Sequence, residues 1–66
     1  MNNPMTKLQT TMVRKMASGL HRKELVTEMN LSPRLVQIYI TRARQLVKAR
    51  SDEHLVATAL RNGWIQ

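Results

Sequence analysis

The sequence predicts an all-α fold of four helices, over roughly residues 6–18, 22–29, 33–49 and 52–62. Three observations carry that expectation. Apolar residues recur at steps of three and four, which marks one face of a 3.6-residue period. Hydroxyl residues that can cap free backbone N–H groups stand at three of the starts, as Thr6, Ser32 and Ser51. Gly19, Asn30 and Gly63 stand just past three of the ends, where a left-handed residue closes a helix.

Taken in order, residues 1–5 are expected to form a loosely held arm. From Thr6, the residues Leu8, Met12, Val13, Met16 and Ala17 are expected on the inner side, with Lys7, Thr10, Thr11, Arg14 and Lys15 outside. Thr6 with Gln9 three residues on gives a capping box. The three methionines of this segment read as an adaptable core face. In the second segment Leu25, Val26 and Met29 point inward, and Leu20 just before it can staple against them. Asn30 and Leu31 form a short turn, and Ser32 caps the next helix. Two short amphipathic helices across so tight a turn, the second of them basic, make a helix-turn-helix.

The third segment is the longest, Ser32 to Arg50. Pro33 suits the first helical position, where no N–H is needed. Val36, Ile40, Ala43 and Val47 form its apolar stripe. The other side carries Arg34, Gln37, Ile38, Thr41, Arg44, Gln45 and Lys48, and no acid occurs anywhere in the stretch. That is the character of a helix laid into a DNA major groove. In the fourth segment Asp52 and Glu53 fill the first turn, where the helix dipole favours carboxylates. Leu55, Val56, Ala59 and Leu60 form its apolar face; Trp64 reads as a core plug and His54 as an ordinary surface residue.

Sixty-six residues make one domain, and one this small buries only about 60% of its unfolded surface. Without cysteine there is neither a disulfide nor a thiolate metal site to add stability, which fits a reducing cytosol and leaves oligomerisation. Eleven Lys and Arg against four Asp and Glu give a net charge of +7, which favours an anionic partner. No apolar run approaches the ~20 residues of a membrane span. No nucleophile–base pair, paired carboxylates, glycine-rich phosphate loop or metal-ligand cluster can be read, so no enzyme, cofactor or small-molecule ligand is expected.

From Met5 to Ile65 the chain resembles the DNA-binding domain of LuxR/GerE-type transcription regulators. The resemblance rests on Met5-Thr6, on Ala17-Ser18-Gly19-Leu20, on Lys23-Glu24-Leu25, on Ser32 to Tyr39, and on the closing run His54 to Ile65. It departs at Leu35 (usually threonine), Tyr39 (usually histidine), Lys48 (usually a helix-breaking glycine) and Asp52 (often arginine).

The resemblance implies a four-helix regulator whose third helix reads the major groove of double-stranded DNA. The base-contacting positions it marks are Gln37, Ile38 and Thr41. Gln37 suits adenine, Ile38 a thymine methyl and Thr41 either base or phosphate. Arg34 is the arginine expected at a guanine edge. Arg42, Arg44, Gln45 and Lys48 are expected on the backbone, as are Arg22 and Lys23 at the start of the second helix. His21 falls at that helix's cap. Leu55, Val56, Ala59 and Leu60 are the implied homodimer contact, which predicts an inverted-repeat site about one DNA turn across. The expected protein is a stand-alone cytoplasmic, nucleoid-associated regulator. The alternative is an antagonist that pairs through the fourth helix with a larger regulator or another protein.

Overall fold

Helix termination sets the architecture. The computed structural model describes residues 2–66 and contains α1 (Lys7–Ala17), α2 (Arg22–Glu28), α3 (Pro33–Val47) and α4 (Asp52–Arg61). No strand occurs among the described residues. All four helices close in the same way. The residue after the last turn takes a left-handed φ, and two backbone N–H groups fold back onto carbonyls of that turn. Those residues are Gly19 (φ 111°), Asn30 (53°), Lys48 (57°) and Gly63 (72°). The paired bonds are Gly19 N–H to Met16 O with Leu20 N–H to Lys15 O, and their counterparts Asn30 to Thr27 with Leu31 to Val26. At the later ends they are Lys48 to Gln45 with Ala49 to Arg44, and Gly63 to Leu60 with Trp64 to Ala59.

This corrects the length expected for the third helix. It stops at Val47 rather than running to residue 49, because Lys48 itself adopts the left-handed conformation that a glycine would normally supply. The backbone carbonyls of the last turn are satisfied by that reversal, and the chain turns into α4.

The starts follow the capping signals. Thr6 Oγ1 accepts from Gln9 N–H at 3.1 Å while Gln9 Oε1 accepts from Thr6 N–H at 2.9 Å. Ser32 Oγ accepts from Leu35 N–H at 3.1 Å, and Ser51 Oγ from His54 N–H at 3.0 Å. At α2 the Glu24 carboxylate reaches back to accept from His21 N–H at 2.8 Å.

The core gathers one face from every helix: Met12 and Val13 of α1, Leu25 of α2, Val36, Ile40 and Ala43 of α3, and Leu55 and Ala59 of α4, with Ile65 beyond. Met16, Leu20, Val26, Met29, Leu31, Tyr39, Val47 and Trp64 pack around it, half-buried. Three details differ from the periodicity. Leu8 and Ala17 lie exposed, whereas Gln9 is buried. Its amide is spent on the Thr6 cap and on Tyr39 O, to which Nε2 donates at 3.4 Å, so the buried polar group is paired.

The expected arm is also tied down. Met1 lies outside the described residues, but Met5 is buried in the core, Asn3 Oδ1 accepts from Met5 N–H at 2.9 Å, and Asn3 Nδ2 donates to Thr10 Oγ1 at 2.8 Å. No helix among the described residues is long and apolar enough to cross a membrane.

Candidate nucleic-acid interface

The α2–turn–α3 unit is built on Asn30 and Ser32, which reverse the chain and restart it within a few residues. With Val36, Ile40 and Ala43 locked in the core, the opposite side of α3 must face outward. There Arg34, Gln37, Ile38, Thr41, Arg42 and Gln45 line one open groove of about 360 Å³. Ile38 is half-buried and the other five are exposed. None of the lining residues is acidic, and neither Arg34 nor Arg42 is engaged in an ion pair among the described residues. The arrangement therefore offers amide, hydroxyl, guanidinium and apolar groups side by side, the set used to read base edges.

Other expected contacts lie elsewhere. Lys23 is exposed on the first turn of α2, outside the groove. Lys48 is exposed past the end of α3. Arg22 and Arg44 are engaged within the protein. Arg22 donates from Nε and Nη2 to the two oxygens of Asp52 at 2.7 and 2.8 Å, a bidentate pair. Arg44 Nη1 lies 3.9 Å from Asp52 Oδ1, and its Nη2 donates to Arg50 O at 2.6 Å. As the chain stands, neither guanidinium is presented as a free phosphate ligand. The hydrogen bonds from Arg22 hold the Asp52 carboxyl below its ordinary range and raise the Arg22 guanidinium, with burial opposing both shifts.

Asp52 thus does more than complement the α4 dipole: it joins the starts of α2 and α4 to the end of α3. No Cα pair of α2 and α4 comes within 8 Å, so this side-chain pair bridges two helices whose backbones stand apart. The pair was not legible from local spacing, since its members are thirty residues apart. The one available signal was an acid in a position that the resembled family often gives to arginine.

The fourth-helix expectation needs a correction. Leu55 and Ala59 have 0% exposure, so they are consumed by the chain's own core and offer nothing to a partner. Leu60, 48% exposed, and half-buried Val56 remain at the surface. Both line an apolar cleft of about 680 Å³ with Met16 and Leu20, rimmed by His21, Lys23 and Glu53. His54 is also more than a surface residue: its Nδ1 accepts from Arg50 N–H at 3.0 Å and so holds the α3–α4 turn. Trp64 is half-buried against the core edge, as a plug should be. No group of three His, Asp or Glu able to hold a metal comes together among the described residues.

Comparison with family models, with curated proteins and with solved structures returns no match to this chain.

Proposed function

We propose that the chain is a sequence-specific binder of double-stranded DNA that regulates transcription, with α3 in the major groove. The observation that carries this reading is the acid-free groove of Arg34, Gln37, Ile38, Thr41, Arg42 and Gln45 on the outer face of a helix anchored by a helix-turn-helix. The net charge of +7 and the resemblance to LuxR/GerE-type domains support it. Gln37, Ile38, Thr41 and Arg34 read bases in this account; Arg42, Gln45, Lys23 and Lys48 meet the backbone. Two copies acting together through Val56 and Leu60 complete the proposal.

Selection of bound duplexes from random DNA, followed by salt titration, tests it. A recovered motif and a steep fall of affinity with salt are expected. Gln37→Ala should then relax the motif by about 1–3 kcal/mol at one base pair, while Arg42→Glu weakens binding to every duplex. Enrichment of no motif together with a flat salt response rules the reading out.

A second reading draws on the apolar cleft beside Leu60: a protein partner seated on α4, whose regulator activity this chain blocks. A stable heterocomplex from a chain without DNA affinity is its signature; the retained basic groove speaks against it as the sole role.

A further inference from the structure

Resting on the DNA reading, we propose that Asp52 is an internal stand-in for phosphate, holding Arg22 and Arg44 back from DNA and thereby restraining sequence-independent binding.

The geometry is that of a phosphate site already filled. The Arg22 fork meets both carboxylate oxygens at 2.7 and 2.8 Å, the bidentate arrangement an arginine otherwise makes with a phosphate. Arg44 approaches the same carboxylate from α3 at 3.9 Å. It follows Gln37 by seven residues and Thr41 by three, so it shares their flank of the helix, yet it is absent from the groove they line. Its hold inside is incomplete, because Nε is buried and meets no acceptor among the described residues.

All three side chains remain about a third exposed, at 34%, 29% and 32% for Arg22, Asp52 and Arg44, so the cluster opens to solvent and to an approaching polyanion. An arginine that leaves for a DNA phosphate exchanges one anion for another and leaves Asp52 beside the duplex with only the other arginine to balance it. The exchange gains no net neutralisation. Sequence-independent affinity scales with the number of phosphates neutralised, so withholding two arginines lowers it while the groove residues that read bases are untouched.

The test compares Asp52→Asn with Glu53→Gln. Both remove one negative charge from the first turn of α4, but Glu53 is exposed and makes no ion pair among the described residues. Affinity for random duplex is titrated with salt, and elution from heparin is measured alongside, with helical circular dichroism confirming fold. The slope of log affinity against log salt is expected to steepen by about one to two in Asp52→Asn relative to Glu53→Gln, about 0.9 for each phosphate gained. Arg22→Gln is expected to leave the parent slope unchanged and to remove about one from the slope of Asp52→Asn.

Equal slopes for Asp52→Asn and Glu53→Gln overturn the proposal. So does a parent slope that flattens by about one on Arg22→Gln, which decides the matter even should Asp52→Asn fail to fold. A parent that ignores duplex DNA defeats the functional reading instead, and the heparin series still ranks the variants.

Discussion

Asp52 concentrates three roles in one carboxylate: it sits in the first turn of α4, it grips Arg22 with two hydrogen bonds, and it attracts Arg44. Those contacts lower its pKa below the ordinary value of 3.8. The unfolded chain therefore takes up the proton first as pH falls. The stabilisation is fully present above the unfolded value and is lost as pH drops through the lowered folded one. Because the pair is about a third exposed, the contribution is expected to stay under about 1 kcal/mol. Thermal unfolding of the parent and Asp52→Asn between pH 6 and pH 2.5 checks it: the gap between them should close below about pH 4. A gap that stays constant across the range would assign the effect to something other than this ionisation.

Each helix ends on a residue in the left-handed region, and the four residues are not equally suited to it. Glycine adopts such a φ freely, asparagine nearly so, and lysine only at a cost. Lys48→Gly should therefore stabilise the protein by roughly 0.5–1 kcal/mol, the relief of strain less the added freedom of the unfolded chain. Gly19→Ala is the converse, since an added Cβ there meets nothing within 4 Å and only the backbone preference at φ +111° changes. It should destabilise by about 1 kcal/mol. Melting temperatures give both signs, and a Lys48→Gly variant that melts lower contradicts the account.

The same ends show what could be read in advance. Thr6, Ser32, Ser51, Gly19, Asn30 and Gly63 announce starts and stops through their own chemistry, and the helices lie within two residues of expectation. Lys48 carries no such signal, because tertiary closure onto α4 imposes its conformation. Leu8 and Gln9 illustrate the other limit. Periodicity alone puts leucine inside, but the capping requirement at Thr6 and the carbonyl of Tyr39 draw the amide inward. On α3, the outward placement of Gln37, Ile38 and Thr41 was legible because they lie opposite a strong apolar stripe. The engagement of Arg22 and Arg44 with Asp52 was not legible, because the carboxylate comes from another helix.

At the scale of the molecule the core is small, and every fully enclosed side chain counts. Leu55→Ala should cost about 2–5 kcal/mol, as much as a domain of this size usually has. Chemical denaturation should show a largely unfolded variant. Leu60→Ala, five residues nearer the helix end and half exposed, should change stability by no more than about 0.5 kcal/mol. Comparable losses from both would mean that the division of α4 between core and surface is wrong.

The dimensions carry a last consequence. The chain measures 30 × 21 × 20 Å, and α3, at ~1.5 Å per residue, is about 22 Å long. Laid on a duplex with ~3.4 Å per base step, a body of that width touches about six base pairs. So short a word recurs many times among the roughly 10⁶–10⁹ competing sites of a genome. On the proposed reading, one copy carries too little information to find an address by itself. Selectivity then becomes a matter of counting, with two words read together at a fixed spacing, and of keeping idle positive charge from lingering between them.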